Sequence, residues 1–163
     1  MTIVSFAKKD WLLILFLVFI HINIFGQETV DPKPLYLYNP NYELEIGKYK
    51  NYKMKQADIV MLGNSLTHGI NWNELLGRES ISEQGIPGDI TDGVLNRLEY
   101  VYKVNPQICF IMVGVNDVFS WIPTETVFLN YKKIVENLKA KNIILSLFGA
   151  CKLELENFMY LNL

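Results

Sequence analysis

From Ala57 onward the chain alternates between short, nearly unbroken apolar runs and longer stretches with apolar residues at helical spacing. The runs are DIVMLG at 58–63, the shorter SISEQG at 80–85, QICFIMVG at 107–114 and NIILSLF at 142–148. Apolar runs of this length, rich in Ile and Val, predict strands, and QICFIMVG reads as one buried on both faces. Between them, 91–106 places Val94, Leu95, Leu98, Val101 and Tyr102 on one stripe, with Thr91 or Asp89 as its cap and Pro106 just past its end. The segment 124–142 does the same with Val127, Phe128, Tyr131, Ile134, Val135 and Leu138, and Thr124 is its candidate cap. NWNELL at 71–76 is a shorter helical start. Strands alternating with helices imply right-handed crossovers and a parallel sheet covered by helices on both faces.

The part before Ala57 follows neither rhythm. Residues 28–42 are rich in Pro, Asn and Tyr and predict an irregular lead-in; 43–56 are polar, with Tyr and Met loosely spaced for one helical face. At the start, Lys8 and Lys9 precede an apolar run from Trp11 to Ile20, and Gly26 stands before Gln27. That run is short for a span of about 20 residues and suits a signal peptide. The expected organisation is a signal peptide at 1–26, a lead-in at 27–56, the core at 57–147 and an atypical tail at 148–163. The protein is then exported, periplasmic or secreted; the alternative is a membrane anchor formed by the same N-terminal segment.

Composition removes several function classes. The 163 residues carry a net charge of −2, with 15 Lys and Arg scattered along the chain, so no basic patch is available for nucleic acid. The two cysteines and two histidines form no cluster with ligand spacing, which predicts neither a metal site nor a cofactor. Cys109, inside an apolar run, reads as a buried free thiol.

In an open parallel sheet, ligands bind outside the carboxyl ends of the strands, where the strand order reverses. Small and polar residues collect at three such ends: GNSLT at 63–67, GIPGDIT at 85–91 and GVND at 114–117. With a strand order starting 2-1-3, Ser65 would lie beside the Gly88 N–H and the Asn116 amide, a nucleophile next to two hydrogen-bond donors. Each residue also has a plainer reading. Ser65 could cap a following helix, Gly88 could serve only a tight turn, and Asn116 and Asp117 could be turn formers. The ordered occurrence of all three groups, each after a strand, favours a site.

These three segments resemble blocks one to three of the SGNH hydrolases, also called the GDSL esterase/lipase family, with Asn64 where the first motif often has Asp. The resemblance covers about 57–147. It implies a three-layer α/β/α flavodoxin-like fold and ester hydrolysis through an acyl-serine. It also implies Ser65 as the nucleophile and an oxyanion hole of the Ser65 N–H, the Gly88 N–H and the Asn116 side chain. Asp89 and Asp117 then brace loops rather than catalyse.

The family draws its base and orienting acid from a D-x-x-H block near the C-terminus, after a fifth strand. No histidine follows His68 here, and His21 lies in the leader. His68, three residues after Ser65, is expected at the rim of the substrate site rather than as the base. The tail GACKLELENFMYLNL departs from the family, as an early stop after a reading-frame change would explain. A sheet incomplete at that edge would leave Ile143, Ile144, Leu145 and Leu147 as a template for self-association. The expected function is an ester hydrolase on O-acyl or acetyl groups, including those of carbohydrates, impaired by the missing Asp/His pair. The alternatives are a non-catalytic binder of a small molecule or carbohydrate, and an inactive fragment.

Overall fold

The computed structural model describes residues 33–148; the expected signal peptide and the tail from 149 lie outside the described residues. Four five-residue strands form one parallel sheet: β1 (Ile59–Gly63), β2 (Ile81–Gly85), β3 (Ile108–Met112) and β4 (Ile144–Phe148). Their order is β2-β1-β3-β4. Gly63 at the end of β1 stands opposite both Gly85 and Met112, so three strands finish level with one another. The α/β class is the one the alternation of apolar runs predicts, and the order begins 2-1-3, the start on which the grouping of the three loops rests.

One face of the sheet carries most of the core. Val60, Leu62, Cys109 and Ile111 pack against Val94, Leu98 and Val101 and against Tyr131, Ile134 and Leu138. The latter come from helix α6 (Thr124–Lys139), whose stripe is the predicted one. The opposite face holds Ile59, Met61 and Ile81 with Trp72, Ile108 and Phe110 partly buried against them. Cys109 and Ile111 are buried, whereas Ile108, Phe110 and Met112 are only half-buried. Among the described residues, then, β3 has one well-covered face and one thinly covered face, not two equal ones.

The lead-in is more ordered than its composition predicts. Asn39 caps helix α1 (Pro40–Asn51), its side chain accepting from the Asn41 N–H, with Pro40 at the first helical position. Tyr42, Ile46 and Tyr49 bury themselves against Ile86 and Tyr100 beside β2. Helix α2 (Trp72–Leu76) follows, capped by Asn71. The stripe at 91–106 is two helices, α3 (Thr91–Asn96) and α4 (Leu98–Lys103), which meet at Arg97 with φ −122° and ψ 16°. The break lets the Arg97 side chain turn inward to the strand ends. Neither Thr91 nor Asp89 caps α3, because the Thr91 N–H is taken by Asp117 from across the sheet. Thr124 is likewise the first residue of α6 rather than its cap, which is Pro123. A short helix α5 (Val115–Phe119) lies where a loop was expected.

Candidate active site

The first loop starts at a glycine packed too closely to take a side chain without displacing its neighbours. A Cβ on Gly63 would collide with Thr67 Oγ1 and the Met112 carbonyl. Asn64 is fully buried; its Oδ1 accepts from the Leu66 N–H at 3.0 Å, and its carbonyl accepts from Thr67 and His68, each at 3.1 Å. The turn closed by these bonds lifts Ser65 to its exposed crest. Ser65 caps no helix, since α2 begins at Trp72 and Asn71 accepts from its third N–H. Among the described residues nothing accepts from the Ser65 backbone N–H, and its hydroxyl has no partner.

The second loop places Gly88 at φ +77°, a left-handed conformation that favours glycine. Asn39 holds this loop from outside, donating from Nδ2 to the Pro87 carbonyl at 2.8 Å. The Gly88 N–H also has no acceptor among the described residues. The third segment is the start of α5, where Asn116 Nδ2 donates to the Asp89 carbonyl at 2.8 Å. A side-chain amide has two hydrogens, so one stays available. Three chain segments thus converge at the carboxyl ends of β1, β2 and β3. Two of them carry an unspent backbone N–H, and the third carries an unspent amide hydrogen.

Buried charges tie the three loops together. Arg97 is fully buried; its Nε donates to Asp89 Oδ2 at 2.8 Å, its Nη1 to the Gln84 carbonyl at 3.0 Å and its Nη2 to the Gly63 carbonyl at 2.9 Å. One guanidinium therefore joins the ends of β1 and β2 to the second loop. Burial raises the Asp89 carboxyl above its ordinary value, and the charge and hydrogen bond of Arg97 oppose that rise only in part. Asp117 binds Thr91 through its N–H at 3.0 and 3.1 Å and its Oγ1 at 2.6 Å, joining the third loop to α3. Burial raises the Asp117 carboxyl, and the Thr91 hydrogen bonds oppose that rise. Sequence reasoning passed over Arg97, although a signal was there. It falls three residues after Val94 and four before Val101, a lone charge within an apolar stripe.

His68 faces away from this work. Its Nδ1 lies 3.1 Å from the Gly85 carbonyl and 3.4 Å from Glu83 Oε1, and its Nε2 lies 3.9 Å from Glu45 Oε1. Glu45 is buried and paired with Lys48 at 2.6 Å. Both ring nitrogens therefore address β2 and α1, and neither is bonded to Ser65. Among the described residues no other imidazole exists, and no group of side chains with metal-ligand chemistry occurs.

Residues 61–162 match the model of the GDSL-like lipase/acylhydrolase family. Among solved structures, the chain resembles a Streptococcus pneumonia protein named for platelet activating factor, with a TM-score of 0.61 and 20% identity over 82% of this chain and 59% of that one. It also resembles a GDSL-like lipase from Bacteroides thetaiotaomicron, with a TM-score of 0.53 and 24% identity over 66% of this chain and 57% of that one. A third is AlinE4, an SGNH-hydrolase family esterase, at a TM-score of 0.50 and 22% identity over 59% and 60% of the two chains. The chain thus spans less than two thirds of the length of these neighbours, and the likeness carries the fold. No curated protein matches the chain. The family match covers all three converging loops from Met61 onward, and the chain belongs to the GDSL-like lipase/acylhydrolase family.

Proposed function

We propose that this chain holds the nucleophile and oxyanion site of an ester hydrolase acting on small O-acyl esters, acetylated carbohydrates among them. What supports the reading is that three unspent donors, the Ser65 N–H, the Gly88 N–H and one Asn116 amide hydrogen, belong to the segments that follow β1, β2 and β3, the first of which carries the exposed Ser65 hydroxyl. Attack of Ser65 Oγ on the acyl carbon would break the carbonyl π bond and place a negative charge on its oxygen, which these donors stabilise. Collapse of that intermediate expels the alcohol and leaves an acyl-serine, which water then hydrolyses. Leu66 beside Ser65, and Val118 and Phe119 shortly after Asn116, are exposed apolar residues suited to an acyl chain. The N-terminal 26 residues fit an export leader, which would place the reaction outside the cytoplasm.

The weak step is removal of the Ser65 proton, because the one imidazole near the loop is turned to Gly85, Glu83 and Glu45. A site with donors but no base retains on the order of 10³–10⁴-fold catalysis over water. Slow turnover of activated esters is therefore expected, with negligible turnover of unactivated sugar acetates. The test compares p-nitrophenyl acetate hydrolysis by the chain and by Ser65→Ala, with mass spectrometry for an acetyl group on Ser65. Equal rates and no adduct would leave the non-catalytic binder as the reading. Turnover of an unactivated ester at an ordinary ~10 s⁻¹ would mean that a base reaches Ser65 from outside the described residues.

A further inference from the structure

A second site lies along the outer edge of β2. Among the described residues β2 pairs only with β1, and beside its open edge is a cavity of about 300 Å³ between the end of α1 and α4. Ser65, Gly88 and Asn116 do not line it. We infer that this cavity binds one neutral pyranose ring, stacked on tyrosine and hydrogen-bonded to Gln84, independently of the chemistry at Ser65.

Four features define the ligand. First, an acceptor waits in the wall. Gln84 is 3% exposed; its Nε2 donates to the Tyr100 carbonyl at 3.0 Å, while its Oε1 has no partner. Buried polar atoms are rarely left unmatched, so a donor from a ligand hydroxyl suits this position after a small shift of the side chain. Second, the wall is aromatic. Tyr49 packs tilted against Tyr52 and Tyr100, with centroids 5.9 and 5.8 Å apart, and Tyr52 stays half exposed at the mouth. Of the three rings Tyr52 is the exposed one, and it is the ring on which the C–H side of a sugar would stack.

Third, the lining is polar as well as aromatic. Lys103 Nζ is spent on the carbonyls of Tyr49, Lys50 and Tyr52 at the end of α1, at 3.3–3.5 Å. Lys53 and Glu83 complete the charged lining, which holds two cations and one anion and offers polar groups suited to the hydroxyls of a sugar. Fourth, the edge is closed at both ends. The Ile81 N–H is taken by Asn73, the Gly85 N–H by Glu83, and the Gly85 carbonyl by the Tyr49 hydroxyl. An added peptide strand would need those groups, so a compact ligand fits where an extended peptide does not. The volume stands at the small end of ligand cavities, about 300–1,000 Å³, which limits the occupant to one ring.

The test is a titration of the isotope-labelled full chain with methyl β-D-glucopyranoside to about 50 mM, tenfold above a weak Kd of about 5 mM. The expected result is saturable amide shifts clustered at 52–54, 82–84 and 100–104. Gln84→Leu should weaken binding at least tenfold, and Ser65→Ala should bind as the unaltered chain does. Tyr52→Ala, at a half-exposed residue, should also lose several-fold and decides the matter if the Gln84 variant does not fold. Absence of saturable shifts in the unaltered chain, unchanged affinity in both pocket variants, or shifts centred on 63–69 and 88 would overturn the inference. Loss of ester hydrolysis in Ser65→Ala with sugar binding intact separates this site from the catalytic one.

Discussion

Replacing Arg97 by Met should unfasten the strand ends while nearly conserving side-chain volume. In the structure this side chain is fully buried and makes three hydrogen bonds, one of them to the equally buried Asp89. Removing one partner of a buried ion pair typically costs about 3–5 kcal/mol, because the other charge is left uncompensated. The Gln84 and Gly63 carbonyls lose a donor as well, at roughly 1–3 kcal/mol each if they stay unsatisfied. These costs overlap, so about 4 kcal/mol is the working figure, a large part of a domain stability of about 5–15 kcal/mol. The assay is urea unfolding followed by circular dichroism, comparing Arg97→Met, Asp89→Asn and the double variant. Taking away both charges should recover at least about 1 kcal/mol over the sum of the single losses.

The same variant has a signed dependence on pH. Without Arg97, burial and the neighbouring Asp117 still raise the Asp89 carboxyl, and the opposing pull is gone. A carboxyl raised in the folded state binds its proton more tightly there than in the unfolded chain. Its stabilisation is full below the ordinary carboxylate range and is lost as pH rises through the raised value. Arg97→Met should therefore be more stable near pH 4 than near pH 7. A loss under about 1 kcal/mol, or strict additivity in the double variant, would refute the role given to this guanidinium.

Gly88→Ala should cost about 1–2 kcal/mol, since φ is +77° and a Cβ would stand 3.2 Å from Asn39 Nδ2; unchanged urea midpoints would contradict this. Cys109 should resist thiol reagents until the protein unfolds, because burial pushes its thiol up to about 12 and so suppresses the thiolate. Mass mapping that finds rapid alkylation at Cys109 in native buffer would contradict that packing. β4 is one of the two edge strands among the described residues and Ile144 is 65% exposed, so the chain should sediment above monomer mass. Ile144→Lys should shift it toward the monomer, and a monomeric unaltered chain would remove the basis for this expectation.

What could be read along the chain was whatever depends on neighbours in sequence. Four apolar runs and the α6 stripe set the strands, the long helix and the parallel class, because burial periodicity is local. The order of small polar residues after three strands marked Ser65, Gly88 and Asn116 as a group. Partnership across the sheet was invisible, because it depends on which distant atoms fold to within 3 Å. Asp89 and Asp117 were expected only to brace loops, yet their partners turned out to be Arg97 and Thr91. The stripe at 91–106 read as one helix because its spacing is unbroken. In the structure it breaks at Arg97, whose guanidinium reaches the Gly63 and Gln84 carbonyls. His68 shows the same limit: spacing put it near Ser65, but its side chain turns to two carboxylates and a carbonyl brought by α1 and β2. Local pattern chose the elements; the satisfaction of buried polar groups, a property of the assembled core, decided what each loop holds.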